Sequence, residues 1–248
     1  MNRVQLQTLY IVFMLSIIGW SLHTGTQKEP FTPSNENPFL TNIDVVYYIN
    51  LDHRTDRNTE MLREFEKVGI PENKIVRISG HYNKKFGDLG CSKSHAKALR
   101  EFANSSYKNC IIFEDDFEFT QDRNIVHEML NNLFSNNVPY DVCMLSSNTG
   151  EFTDTDYPWL KKVQNSQTAS GYMVNKHFAE TLLQNYDEGI AQLEPITSKQ
   201  DNVRGPYCID QYWKKLQPQS AWYEFHPKLG KQRKSYSDIQ QGVMDYNV

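Results

Sequence analysis

The sequence predicts an α/β fold with a mostly parallel central sheet. Short runs of β-branched and aromatic residues alternate along the chain with segments whose apolar residues recur at helical spacing. Strands that alternate with helices indicate βαβ units, whose strands pair in parallel. The first run, residues 43–51, is almost continuously apolar, which is typical of a strand covered on both faces of such a sheet.

The remaining elements follow from periodicity and from end signals. Residues 55–70 are predicted to form a helix that Thr55 caps and Gly69 ends, because their apolar residues share one face. Residues 94–105 are predicted to form a second helix, with Ser94 as its cap. Further strands are predicted at residues 74–78, 110–114, 141–145, 169–175 and 221–227, and further helices at residues 124–134, 176–186 and 208–216.

Length and composition indicate one folded domain with a small extension. The chain has 248 residues, of which 39% are hydrophobic and 12% aromatic, enough for a sizeable core. The formal net charge of -4 argues against a protein that binds nucleic acid, because such proteins usually carry a basic excess. Four scattered cysteines are too few for a disulfide scaffold, and we find no Cys-x-x-Cys or His/Cys metal spacing.

The amino-terminal segment predicts a membrane location. Residues 4–22 are mostly apolar over nearly the roughly 20 residues that cross a bilayer, and Arg3 precedes them. We therefore expect residues 1–23 to be an uncleaved signal anchor of a single-pass type II membrane protein in the secretory pathway, facing the ER or Golgi lumen. A cleaved signal peptide, which would leave a secreted or lumenal protein, is the alternative, although no convincing small-x-small cleavage site is present.

The rest of the chain divides into three parts. Residues 24–42 contain three prolines among polar residues and are predicted to be a stem or linker. The periodic pattern assigns residues 43–240 to the folded domain and residues 241–248 to a tail.

Three consecutive carboxylates, Glu114, Asp115 and Asp116, end the predicted strand at residues 110–114. Ligands of open α/β sheets bind beyond the carboxyl ends of the strands. Adjacent carboxylates repel one another unless a cation is present, and their oxygens suit Mg²⁺ or Mn²⁺. Because side chains alternate in extended backbone, Glu114 and Asp116 are predicted to hold one metal ion, while Asp115 contacts a ribose or sugar. A solvated acidic turn is the alternative.

Three segments, in order, resemble glycosyltransferase family 25: YYINLDHRTDRNTEMLREFEKVGI (47–70), GDLGCSKSHAKALREF (87–102) and CIIFEDDFEF (110–119). The residues that carry the resemblance are Asn50, Leu51, Asp52, Arg54 and Arg57, then Gly90, Cys91, Ser94 and His95, then Glu114, Asp115 and Asp116. Segments at residues 168–183 and 208–240 resemble the later part of the family pattern. The family includes bacterial lipooligosaccharide galactosyltransferases and the collagen hydroxylysine galactosyltransferases.

The resemblance implies a GT-A type fold and a metal-dependent, inverting transfer of a hexose from a UDP-sugar, usually UDP-galactose. The acceptor would be a hydroxyl group of a glycan or of a hydroxylated protein, and the implied cofactor is Mn²⁺ or Mg²⁺. Two alternatives stay open. One is a catalytically inactive homologue that binds a glycan or a partner, and the other is a metal-dependent phosphohydrolase on an unrelated α/β fold.

The resemblance also implies binding roles. Four residues after the first strand would line the nucleotide pocket, with an arginine pairing with the diphosphate: Asn50, Asp52, Arg54 and Arg57. Their alternative role is a capped helix start. His95 would bond to the donor or to an acid of the cluster, or else be a buried structural histidine, and Cys91 is expected to pack.

Residues outside these motifs are predicted to complete the site. Gln232 and Asp238 would close over the donor as a carboxyl-terminal lid, or belong to a solvated tail. Inversion needs a base that removes the proton of the acceptor hydroxyl group. Asp210 is the predicted base, with Glu194 in reserve, although a helix-start acid favoured by the helix dipole is an alternative for Asp210. Asp116 is expected to be essential for transfer.

Overall fold

The computed structural model of the protein describes residues 36–198, 200–237 and 242–244. The predicted signal anchor at residues 1–23 lies outside these residues, and so does Asp238 of the predicted lid. Within the described ranges, no helix combines the length and the apolar character that a membrane span requires.

The described strands and helices alternate along most of the chain. The strands are β1 (Val45–Asn50), β2 (Ile75–Ser79), β3 (Asn109–Glu114), β4 (Phe117–Phe119), β5 (Val142–Asp154), β6 (Leu160–Asn175), β7 (Trp222–Phe225), β8 (Gly230–Gln232), β9 (Ser235–Ser237) and β10 (Gly242–Met244). The α-helices are α1 (Pro38–Thr41), α2 (Thr55–Val68), α3 (Gly87–Ala103), α4 (Arg123–Ser135), α5 (Ala179–Leu193), α6 (Asp201–Arg204) and α7 (Ile209–Tyr212).

A six-stranded sheet with the order β2-β1-β3-β6-β5-β7 forms the centre of the molecule. Strand β1 pairs in parallel with β2 and β3, and β5 pairs in parallel with β7. Strand β6 alone among the six is antiparallel to its neighbours β3, β5 and β7. The predicted α/β class and mostly parallel sheet are confirmed.

Both faces of the sheet are covered by apolar residues. Successive residues of β1 alternate between two core clusters, with Val45 and Tyr47 in one and Val46 and Tyr48 in the other. The first cluster includes side chains of α3 and α5, and the second includes side chains of α2 and α4. Complete burial of such a side chain contributes about 1.5–3 kcal/mol, which explains why β1 is apolar at consecutive positions rather than at alternate ones.

The connection between β5 and β6 differs from a βαβ unit. The predicted strands at residues 141–145 and 169–175 are the buried ends of a long antiparallel hairpin whose arms reach Asp154 and start again at Leu160. The outer part of β5, from Asn148 onward, carries mostly exposed polar side chains. Pairing between the two arms, rather than burial of apolar side chains, keeps this part extended. Its composition can therefore be as polar as that of a loop.

The folded part starts earlier and ends later than predicted. Asn37 caps α1 by accepting a hydrogen bond from the Phe39 backbone N–H at 3.0 Å, and the Phe39 side chain is fully buried. The end of the predicted stem at residues 24–42 therefore belongs to the core. The predicted tail at residues 241–248 contains β10, which pairs with β9.

Helix ends were predicted with mixed success. Gly69 ends α2 in the left-handed conformation, with φ of 75°, as predicted. Arg54 rather than Thr55 occupies the N-cap position of α2. Helix α3 begins at Gly87, so Ser94 is not its cap but lies inside it, where its hydroxyl group donates to the Gly90 carbonyl at 2.7 Å.

Candidate functional site

A cleft with a cavity volume of about 140 Å³ lies beyond the carboxyl ends of β1 and β3. Its lining combines the acidic cluster with residues from α2, α3, the loop before α3 and β8. The lining residues used below are Arg57, Cys91, His95, Glu114, Asp115, Asp116 and Gln232. The predicted position of the acidic cluster at a cleft on this edge of the sheet is the observed one.

The three acids do not alternate as predicted. Strand β3 ends at Glu114, and Asp115 and Asp116 form a turn before β4. Because the backbone leaves the extended conformation there, Asp115 and Asp116 both face Arg57, whereas Glu114 faces His95. The expectation that Glu114 and Asp116 share an orientation opposite to that of Asp115 is therefore wrong.

Glu114 is held by side chains of α3. His95 Nε2 lies 3.0 Å from Glu114 Oε1, and the Cys91 thiol donates to the same oxygen at 3.6 Å. Burial opposes ionisation of Glu114, but the hydrogen bond and the charge of His95 outweigh burial and lower the pKa of this carboxyl group. Glu114 is thus stabilised as a carboxylate next to the cleft.

A buried chain of polar side chains supports His95. Its side chain is fully buried, and its Nδ1 atom lies 3.0 Å from the Tyr172 hydroxyl group. The Tyr186 hydroxyl group donates to that of Tyr172 at 3.1 Å. The predicted contact of His95 with an acid of the cluster is therefore present, and the two tyrosines extend it into the core.

Asp115 is fixed by two residues of the first motif. Arg57 Nη1 donates to its Oδ1 atom at 2.7 Å, and Asn50 Nδ2 donates to its Oδ2 atom at 2.7 Å. Asn50 is oriented in turn by Arg77, whose Nε atom donates to the Asn50 side-chain oxygen at 3.0 Å. Burial raises the pKa of Asp115, although Arg57 and Asn50 oppose this effect.

Asp116 is the least compensated acid of the cluster. Its Oδ2 atom accepts from Gln232 Nε2 and lies near Arg57 Nη1, each at 3.2 Å. Its Oδ1 atom is buried and has no hydrogen-bond partner among the described residues. Burial and the neighbouring Glu114 raise the pKa of Asp116 to about 7. A buried carboxylate oxygen of this kind fits a divalent cation, which would supply the missing partner and the missing charge.

The strand β8 covers the acidic turn. It pairs with β4, with Phe117 opposite Gln232, and the Arg233 backbone N–H donates to the Asp116 carbonyl at 2.6 Å. Gly230 permits this approach, since a Cβ atom there would lie 2.2 Å from the Phe117 ring. Gln232 of the predicted lid therefore reaches the cluster directly.

Two residues predicted for the nucleotide pocket, Asp52 and Arg54, are not part of the described cleft lining. Asp52 is exposed and accepts from Arg77 at 2.7 Å and from Ser79 at 2.9 Å. The Arg54 guanidinium pairs with Asp56 at 2.9 Å. Arg57 lines the cleft, but it pairs with two acids of the cluster, whereas a diphosphate was the predicted partner.

The two candidate bases have different surroundings. Glu194 is exposed and pairs with Lys93 at 2.6 Å, so it lies on the surface. Asp210 lies in the first turn of α7, and its Oδ2 atom accepts from the Thr168 backbone N–H at 3.1 Å. Burial raises the pKa of Asp210, and the charge of Glu114 raises it further. The hydrogen bond from the Thr168 backbone N–H has the opposite effect. A raised pKa is the direction that suits a general base, and the role of Asp210 stays a prediction.

Cys91 joins His95 and Glu114 in a group that the sequence does not predict. The ligand atoms of Cys91, His95 and Glu114 all lie within 4.8 Å of one another, an arrangement that can hold a metal ion. The structure brings this Cys/His pair together although the sequence analysis predicts no His/Cys metal spacing. Cys91 and His95 are four residues apart and therefore lie on one face of α3. The sequence predicts that this helix starts at residue 94, which leaves Cys91 outside the helix.

Comparisons with known proteins leave the family of this chain open. No model of a known protein family matches the chain, and no curated protein matches it. Solved structures with a similar course of the chain include mannose-1-phosphate geranyltransferase from Thermus thermophilus, at 8% identity over 79% of this chain and 75% of that one with a TM-score of 0.40. A second such structure, from Bacillus anthracis, is assigned as a glucose-1-phosphate thymidylyltransferase. It is 10% identical over 76% of this chain and 70% of that one, with a TM-score of 0.37. At these TM-scores the matches carry no argument about fold family or activity.

Proposed function

We propose that the protein is a family 25 type glycosyltransferase with a GT-A-like fold, which transfers a hexose from a UDP-sugar to a hydroxyl group. Galactose is the family default for the hexose, and the acceptor is a glycan or a hydroxylated protein. The observation that carries the proposal is the buried, unpartnered Oδ1 atom of Asp116 in the acidic cluster that lines the cleft. The sequence motifs that resemble the family support it.

Glu114 and Asp116, which both line the cleft although they face different helices, are the proposed ligands of Mn²⁺ or Mg²⁺. When bound, the ion supplies positive charge that stabilises the diphosphate leaving group. The site fits such an ion because Glu114 is favoured as a carboxylate and Asp116 lacks a partner on one oxygen.

The other residues of the cleft would bind and orient the donor. Asn50 and Arg57 hold Asp115 in one orientation, so that its carboxylate is a defined acceptor for a ribose or sugar hydroxyl group. Gln232 covers Asp116 and helps to exclude water from it. Asp210 is the proposed base for the acceptor hydroxyl group, and location in the secretory pathway through residues 1–23 is part of the same proposal.

The proposal is tested by donor turnover in a matched pair of variants. The purified full chain is incubated with Mn²⁺ and each UDP-hexose, with and without hydroxylysine peptides or hexose acceptors, and UDP release is measured. We expect Asp116→Asn to lower the rate by about 100-fold or more. The control is Glu118→Gln, two residues along the chain, whose carboxylate pairs with Lys231 at 3.2 Å and does not line the described cleft.

The outcomes separate the proposal from its alternatives. Equal rates for the two variants would remove Asp116 from the site, and release of UDP or phosphate that no acceptor increases would favour a phosphohydrolase. Binding of a glycan without any turnover would favour the inactive homologue. One observation speaks for that alternative, since Arg57 already offsets part of the negative charge that a metal ion would neutralise.

A further inference from the structure

We propose that Cys91, His95 and Glu114 form a binding site for a divalent ion of the Zn²⁺ class. The thiol, the imidazole and the carboxylate converge from two elements, with ligand atoms within 4.8 Å of one another. Cysteine thiolate and histidine imidazole are the ligands that Zn²⁺ prefers in proteins, whereas Mg²⁺ and Mn²⁺ prefer oxygen. The site therefore differs in chemistry from the pair Glu114 and Asp116, although Glu114 belongs to both.

Two of the three distances between the ligand atoms are close to those of a tetrahedral zinc site. Bond lengths of about 2.3 Å to sulfur and about 2.0 Å to oxygen place tetrahedral sulfur and oxygen ligands about 3.5 Å apart. Cys91 Sγ lies 3.6 Å from Glu114 Oε1, and His95 Nε2 lies 3.0 Å from the same oxygen. The third pair, Cys91 and His95, has ligand atoms within 4.8 Å of each other, so an ion would bind with limited movement of the side chains.

The backbone beneath these ligands is tightly held. Cys91 and His95 lie one turn apart in α3, and Glu114 is the last residue of β3. The Ser94 hydroxyl group donates to the Gly90 carbonyl at 2.7 Å and accepts from the His81 backbone N–H at 2.7 Å. A Cβ atom on Gly90 would lie 2.3 Å from the His81 carbonyl oxygen, so this turn packs directly on the loop before α3.

Tyr172 supplies the support that a metal-bound histidine needs. A histidine that binds a metal through one ring nitrogen usually donates the other N–H to a nearby acceptor. The Tyr172 hydroxyl group lies 3.0 Å from His95 Nδ1 and can accept that hydrogen bond. The hydrogen-bond partner that metal binding requires at Nδ1 is therefore already in contact with the ring.

The fourth coordination position faces the cleft. Cys91, His95 and Glu114 all line the cleft, so the ion would have three protein ligands and one position for water or for an oxygen of a bound molecule. On binding, Cys91 releases its thiol proton to solvent and Glu114 contributes an existing carboxylate. The inference does not rest on the proposed glycosyl transfer, because binding is measured without any donor.

Cobalt spectroscopy tests the site directly. The purified full chain is stripped with a chelator and titrated with Co²⁺, which reports thiolate ligation by a charge-transfer band and tetrahedral geometry by intense visible bands. We expect both signals to saturate at one ion per chain and to disappear when Zn²⁺ is added. Mg²⁺ in excess is expected to leave the charge-transfer band in place, because Mg²⁺ does not compete for the thiolate.

Four variants assign the ligands. Cys91→Ser is expected to lose the charge-transfer band, whereas Cys208→Ser, the other half-buried cysteine, is expected to keep it. Asp116→Asn is expected to retain the cobalt spectrum, which separates this site from the proposed donor-metal pair. Tyr172→Phe is expected to weaken cobalt binding by about 10–100-fold.

The wild-type spectrum decides the proposal even where a variant does not fold. A folded wild-type chain, checked by circular dichroism, that shows no thiolate band at saturating Co²⁺ would overturn the proposal. Retention of the band in folded Cys91→Ser, or its loss in folded Cys208→Ser, would assign the thiolate elsewhere and would also overturn it.

Discussion

Glu114 and Asp116 are separated by one residue, yet the structure gives the two carboxylates opposite surroundings. Glu114 bonds to His95 and Cys91 of α3, and these contacts lower its pKa. Asp116 shares Arg57 with Asp115 and keeps one buried oxygen without a described partner, and its pKa rises to about 7. The difference shows that the acidic cluster is polarised, with one acid held as an anion and another that shares its cationic partner and keeps one oxygen without a described partner.

The turn at the end of β3 causes this polarity. In a continued strand, Glu114 and Asp116 would point the same way. The turn instead directs Asp115 and Asp116 toward α2 and leaves Glu114 on the side of α3. The direct partners of each half thus lie on a different helix, although the charge of Glu114 still raises the pKa of Asp116.

The largest effect is expected from Arg57→Ala. Removal of this guanidinium leaves the buried carboxylates of Asp115 and Asp116 without their cationic partner, which typically costs about 3–5 kcal/mol of unfolding free energy. Urea denaturation at pH 8 without divalent ions measures the loss. The control is Arg100→Ala, because Arg100 and Asp187 form a half-exposed pair for which about 0–1 kcal/mol is expected. Similar losses in both variants would show that Arg57 is not the main support of this half.

The next prediction is that Glu114→Gln and Asp116→Asn change the free energy of unfolding in opposite directions. The lowered pKa of Glu114 means that the folded state binds fewer protons than the unfolded state, so its contribution to stability is present above pH 4.5 and is lost in acid. The raised pKa of Asp116 means that the folded state binds more protons between pH 3.8 and about 7, so stability falls as the pH rises through that range.

At pH 8 without divalent ions, we therefore expect Glu114→Gln to destabilise the fold and Asp116→Asn to stabilise it, each by about 1 kcal/mol. Urea denaturation at pH 5 and pH 8 measures both variants and the wild type. Asp116→Asn is also expected to reduce the loss of unfolding free energy between pH 5 and pH 8 relative to the wild type. Changes of the same sign at pH 8 would contradict the polarity of the cluster.

A further effect is expected from Tyr172→Phe, which acts on the Glu114 half through His95. The variant removes the hydrogen bonds of the Tyr172 hydroxyl group to His95 and Tyr186 and leaves both without that partner, at a cost of about 1–2 kcal/mol. Thermal unfolding measures the loss. Tyr107→Phe changes an exposed tyrosine and should stay within about 0.5 kcal/mol of wild type. A silent Tyr172→Phe would mean that the buried chain does not support His95.

Local sequence signals predicted the elements that carry the site. The apolar run of β1, the end of α2 at Gly69 and the acids at the end of β3 follow from side-chain burial and backbone preference over a few residues. Three predictions were wrong because the local sequence did not reveal the tertiary contact that decided the structure. The outer part of the β5–β6 hairpin is polar, Ser94 resembles a cap although it lies inside α3, and Phe39 follows a proline-rich stretch.

The amino-acid sequence by itself determined the class of the fold, the strand that presents the acids and the edge of the sheet where they lie. Only the tertiary structure decided which partner each acid has, because those partners come from distant parts of the chain. Arg57 is 58 residues from Asp115, and Gln232 is 116 residues from Asp116. Both acids are buried, so the partners that packed elements bring to each of them, rather than burial or the acids' own residue types, separate the pKa values of Glu114 and Asp116.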